Sequence, residues 1–175
     1  SAESAGDLYI NASTDGAVGG DLSITATAGN ITQGVAVVVT GTTTLKATTS
    51  NDITLDNTSN NFQGAVKITS GNDVTLVDAN AIDLGASTVS GTYAVTATSG
   101  DITDSGTLTI TGASVFTTRV DGSNIVLDSS ANAFAAAVTM KADTAGNETF
   151  GNITFVDSAA VKLHSSAGTN GDLFI

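Results

Sequence analysis

Gly20-Asp21-Leu22-Ser23-Ile24-Thr25-Ala26-Thr27-Ala28-Gly29-Asn30-Ile31-Thr32 returns 71 residues later as Gly91-Thr92-Tyr93-Ala94-Val95-Thr96-Ala97-Thr98-Ser99-Gly100-Asp101-Ile102-Thr103. Asn51-Asp52-Ile53-Thr54-Leu55-Asp56-Asn57 returns in the same way as Ser123-Asn124-Ile125-Val126-Leu127-Asp128-Ser129. Each copy alternates apolar and polar residues between glycine and Asx positions. That is the period-two pattern of strands with one buried face. A fixed period in a chain of short alternating runs predicts a solenoid.

Outward from these copies, apolar pairs at i, i+2 sort into three columns. The first runs Leu22/Ile24, Leu45/Ala47, Val66/Ile68, Tyr93/Val95, Phe116/Thr118, Val138/Met140 and Leu173/Ile175. The second runs Leu8/Ile10, Ile31, Ile53/Leu55, Val74/Leu76, Ile102, Ile125/Leu127 and Ile153/Phe155. The third, weaker, holds Val18, Val37/Val39, Phe62, Ile82/Leu84, Leu108/Ile110, Phe134 and Val161/Leu163. Successive members lie mostly 21 to 28 residues apart, room for three short strands and three turns. A coil of that size cannot bury its inner face alone, so coils stacked ~4.8 Å apart must share one core. The expectation is an all-β chain forming a right-handed parallel β-helix (solenoid) of about six coils of three short strands. It would be a single domain over 1–175 with uncapped ends.

Composition agrees. Fifteen of the 17 acidic residues are Asp, a turn and cap residue, and no stretch has trustworthy helical spacing. Proline, which cannot donate to a ladder, is absent, as are tryptophan and cysteine. The core is therefore read as thin, filled by stacked Val, Ile and Leu. Stability would come from the ladder rather than from disulfides. The net charge of -12 disfavours nucleic acid and anionic membrane surfaces as partners. No apolar run reaches the ~18 residues of a membrane span.

The second column has a regular outer side. Asp7, Asn30, Asp52, Asp73, Asp101, Asn124 and Asn152 each precede an inward residue. Thr32, Thr54, Thr75, Thr103 and Thr154 follow it, with Val126 as the exception and Asp56 and Asp128 extending the same side. Three uses are open. One is a structural ladder of stacked amides, carboxylates and hydroxyls. Another is weak cation bridging, since like charges ~4.8 Å apart repel by about 1 kcal/mol even in water. The third is recognition of a repetitive surface such as a glycan or ice by the Thr rows, although Lys46, Lys67 and uneven coil lengths spoil regularity on the neighbouring face. The interval between Met140 and Ile153 carries about eight extra residues, a loop at 142–150. Insertions in solenoids map to loops on one face, often a binding face, but long insertions at surface turns are well tolerated and a drifted loop without function is the plainer reading.

Enzyme chemistry is poorly served. Arg119 is the only arginine, His164 the only histidine, and no nucleophile–base pair is visible. His164 reads as an exposed turn residue. No catalytic, cofactor-binding or metal-ligating residue is assigned, and no cofactor is expected.

The runs Asn51-Asp52-Ile53-Thr54-Leu55-Asp56-Asn57, Asn72-Asp73-Val74-Thr75-Leu76-Val77-Asp78, Ala81-Ile82-Asp83-Leu84-Gly85 and Gly100-Asp101-Ile102-Thr103 resemble the repeats of filamentous-haemagglutinin-like exoproteins. These are large bacterial surface proteins exported by two-partner secretion. The likeness extends over nearly the whole chain from Gly20. It implies a right-handed β-helix at the bacterial cell surface, secreted, and engaged in adhesion or fibre building. With no proline there can be no Asn-Pro secretion motif, so the chain would be stalk rather than secretion domain. The expected partners are copies of itself stacked end to end, flanking coils of a longer chain, and host or environmental glycans. The alternative is a glycan- or cation-binding module using the Asp/Thr face or the 142–150 loop.

Overall fold

The structure is a computed structural model describing residues 1–11, 18–142 and 151–159, with two further strands known by their backbone, β21 and β22 below. The chain opens with β1 (Ala2–Ser4) and β2 (Leu8–Ile10). Three coils follow: β3 (Leu22–Ala26), β4 (Ile31–Gln33) and β5 (Val38–Val39); β6 (Thr43–Lys46), β7 (Ile53–Leu55) and β8 (Asn61–Phe62); β9 (Val66–Ser70), β10 (Val74–Asp78) and β11 (Ile82–Leu84). Three more are β12 (Ser87–Val89), β13 (Tyr93–Ala97) and β14 (Ile102–Asp104); β15 (Leu108–Ile110), β16 (Ser114–Thr118) and β17 (Ile125–Leu127); β18 (Ala133–Phe134), β19 (Ala137–Lys141) and β20 (Ile153–Phe155). β21 (Lys162–His164) and β22 (Leu173–Phe174) begin a further layer. The fold is the expected parallel β-solenoid of about six turns, without helix among the described residues.

Each coil contributes one strand to each of three faces. The eight-stranded sheet β2-β4-β7-β10-β13-β16-β19-β21 is the whole second face. The nine-stranded sheet climbs the first face as β1-β3-β6-β9. It then steps through a single register pair, Leu84 with Val66, onto β11-β14-β17-β20-β22 of the third face. β12 lies against β9 and carries the first face on as β12-β15-β18, while β5-β8 begins the third.

The three sequence columns do not survive this arrangement. They joined Val66 to Tyr93 and Val74 to Ile102. In the structure Tyr93 pairs with Val74, and Ile102 with Ile82. Leu173 likewise falls beside Ile153, not in the column of Val138. For Tyr93 and Ile102 the cause is one strand, β12. Its inward residue Ser87 is polar, so Ser87-Thr88-Val89 gives no apolar pair. The Ser87 hydroxyl accepts the Ile68 N–H at 3.1 Å and donates to the Gly85 carbonyl at 2.8 Å. With those bonds made, a polar side chain is tolerated inside. Counting β12 moves β13 to β20 round by one face, and β21 and β22 stand one face further on again.

The 71-residue copy therefore spans ten strands, which is three coils and one strand more. Leu22 begins a strand of the first face, and its counterpart Tyr93 begins one of the second. Successive repeats are turned by a third of a revolution relative to each other.

Inward residues meet in continuous rows. Ile31, Ile53, Val74 and Tyr93 stack in register on the second face, and Ile82, Ile102 and Ile125 on the third. All are buried, and each such side chain stabilises by roughly 1.5–3 kcal/mol. The upper core is not the purely aliphatic stack expected. Tyr93 and Phe116 meet edge to face at 5.9 Å, Phe116 and Phe134 at 6.1 Å, and Phe134 reaches Phe155 at 5.2 Å. Corner glycines let coils close up: a Cβ on Gly112 would run into the Gly91 carbonyl below it.

Candidate functional site

The Asx positions form the most regular polar feature of the surface. At the corner leading into the second face, each Oδ1 accepts the backbone N–H one coil above. Asn30 N–H donates to Asp7 at 2.7 Å, Asp52 N–H to Asn30 at 2.8 Å, and Asp73 N–H to Asp52 at 3.1 Å. Thr92 N–H then donates to Asp73 at 2.7 Å. A turn at a corner takes backbone donors out of the strand ladder, and a short side-chain oxygen replaces the lost acceptor. Neighbouring amides join in: Asn72 Nδ2 donates to Asp52 Oδ1 at 3.1 Å.

The expected single row of seven Asx residues is two rows. Thr92, not Asp101, follows Asp73, because β12 was missing from the count. Asp101, Asn124 and Asn152 repeat the device at the corner leading into the third face, with backbone bonds of 2.7 and 2.8 Å. The hydroxyl row divides in the same way. Thr32, Thr54 and Thr75 are in register on the second face. Thr103, Val126 and Thr154 are in register on the third.

The chemistry this ladder performs is therefore largely internal. Carboxylate Oδ1 atoms of Asp7, Asp52, Asp73 and Asp101 are occupied by N–H donors of the next coil. Among the described residues no group of three or more His, Asp or Glu side chains could hold a metal ion. Of the 142–150 loop, Ala142 packs against the core and 143–150 lie outside the described residues. His164, expected in a turn, ends β21.

Sequence reading missed two buried polar networks. Asn60 is fully buried. Its Oδ1 accepts Val37 N–H at 2.8 Å, and its amide exchanges bonds of 2.7 and 2.9 Å with the Gln33 amide. One repeat later Asn132 takes the same place. Its Oδ1 accepts Leu108 N–H at 2.8 Å, and its Nδ2 donates to Asp104 at 2.7 Å. The signal was present as Asn60-Asn61-Phe62 and Asn132-Ala133-Phe134, where an Asn precedes an inward Phe by two.

Beside each network stands an Asp whose carboxylate serves the Phe. Asp78, fully buried, accepts Phe62 N–H at 2.7 Å and Asn80 N–H at 2.7 Å. Burial pushes its carboxyl above the usual range, and the Asn80 and Phe62 amides pull it part of the way back. Asp157 accepts Phe134 N–H at 3.2 Å. Burial also holds the Tyr93 phenol well above its ordinary value, with Ser87 opposing the rise.

Two copies of one polar framework, offset by a repeat, are what a tandem family would show. A family described as "Repeats of unknown function (DUF5649)" matches residues 3–69 and again 71–141. The chain belongs to this family. Each DUF5649 copy here carries one Asn–Phe network and ends in the strand that follows it, β9 in the first copy and β19 in the second. No curated protein and no solved structure matches the chain.

Proposed function

We propose that this DUF5649 chain is a structural and adhesive β-helix of the bacterial cell surface, secreted, and part of a fibre or stalk in which coils continue onto copies of the chain or onto flanking coils. The observation that carries this reading is the Asx ladder. Asp7, Asn30, Asp52 and Asp73 each offer the next coil the same corner acceptor, and Asp101 and Asn124 repeat the device one face round, so the pattern extends by repetition. The likeness of Asn51-Asp52-Ile53-Thr54-Leu55-Asp56-Asn57 to filamentous-haemagglutinin-like repeats supports the surface location and two-partner export. The absence of cysteine suits passage through a narrow pore in an unfolded state.

A second reading, glycan binding, is favoured by the consecutive Thr32, Thr54 and Thr75, a row of hydroxyls spaced ~4.8 Å apart. Electron microscopy and light scattering over a concentration series test the first. Filaments that lengthen with concentration are expected. A strictly monomeric species at high concentration and high salt would overturn self-stacking. A glycan array showing saturable binding of one sugar, lost in Thr54→Val, would favour the second.

A further inference from the structure

Ladder hydrogen bonding is not continuous round the solenoid. On the third face the β5-β8 ladder stops at β8, and the N–H of Phe62 turns to the Asp78 carboxylate instead of a strand above. On the first face no ladder joins β9 to β12. The N–H of Ile68 ends on the Ser87 hydroxyl, and one register pair, Leu84 with Val66, bridges to β11. Only the second face runs through, with β10 and β13 in register over five residues from Val74/Tyr93 to Asp78/Ala97. Both breaks lie at the junction of the two matched copies. The device recurs one repeat later and one face round. Phe134 N–H, on the outer strand of β12-β15-β18, turns to Asp157, and an apolar groove of about 190 Å³ opens there beside Ile110 and Ala159.

We infer that the junction between repeats is a built-in seam, at which the coils up to β9 and those from β11 onward part as separate cooperative blocks hinged on the β10–β13 ladder. A backbone ladder couples every residue of two strands, whereas one side-chain acceptor couples a single amide. Opening the seam therefore breaks few bonds on two faces while each block keeps its own ladders. Local opening follows such boundaries of contact. The inference stands apart from the surface-fibre reading, since it concerns how the chain yields and not where it acts.

Residue-resolved native-state hydrogen exchange tests it. Phe62 and Ile68 amides are expected to show at least tenfold less protection than Thr43, bonded within the first block, and Tyr93, bonded within the second. Ser87→Ala, a mild change, should lower Ile68 protection about tenfold more and leave Thr43 unaltered. Asp78→Ala should do the same at Phe62 if it folds. Equal protection at all four amides, or a Ser87→Ala effect spread evenly through both blocks, would overturn the seam.

Discussion

The Asp78 carboxylate accepts the Phe62 N–H at 2.7 Å, in the place where a strand carbonyl of the next coil would otherwise sit. A charged side chain thus substitutes for backbone in a site fully shielded from water. Burial raises its folded pKa above the ordinary 3.8, so the protonated form is favoured on folding.

The sign of the resulting pH dependence follows. Asp78's contribution is fully present below its unfolded value of 3.8 and is lost as pH rises through its higher folded value. Asp78→Asn, which cannot ionise, should remove that part of the slope. Melting temperatures of both proteins from pH 3 to 7 check this. Parallel curves would refute it.

Tyr93 behaves alike at the other end of the scale. Its buried phenol favours the neutral form, so stability should fall as pH climbs above the ordinary 10.0 toward the raised folded value. Tyr93→Phe keeps the edge-to-face contact with Phe116 and should lose this alkaline sensitivity. Denaturation at pH 9 and pH 11 gives the comparison.

Inside and outside positions can be told apart on one strand. Ile53 is completely buried and Thr54 faces outward. Ile53→Ala should lose about 2–5 kcal/mol, and Thr54→Ala within about 1 kcal/mol. Ile53→Asp should prevent folding, because the charge would enter a dry row with no partner. Urea titrations of the two alanine variants settle the face assignment.

For the corner ladder, Asp52→Asn retains an acceptor for the Asp73 N–H, while Asp52→Ala leaves it without one. The alanine variant should be less stable by about 1 kcal/mol and the asparagine variant close to the parent. Calcium should not raise the parent's melting temperature in a saturable way; such a rise, absent from Asp52→Asn, would support the cation-bridging use.

Close approach at the corners gives a last comparison. Gly112→Ala would drive a Cβ into the Gly91 carbonyl, whereas a Cβ on Gly6 meets nothing within 4 Å. Overpacking of this kind costs roughly 1–3 kcal/mol, so Gly112→Ala should melt well below Gly6→Ala.

By itself the sequence determined the class of fold. Alternation in Leu22-Ser23-Ile24 and Ile53-Thr54-Leu55 names strands with one inner face, and the 71-residue copy makes them a solenoid, because period and burial are local properties of the chain. It also placed Asp52 and Asn30 at turns on the outer side. Tertiary structure alone decided which coil stands on which. A sequence repeat aligns Leu22 with Tyr93, but ten strands are not a whole number of three-strand coils, and the aligned residues occupy different faces. That remainder hangs on β12, whose Ser87 is inward yet polar and finds its partners, Ile68 N–H and the Gly85 carbonyl, only once the coils have stacked. For the same reason nothing in the chain marks Asn60 and Asp78 as buried, and both are buried in the fold. Hydrogen bonds across coils, which no local pattern records, remove their need for water.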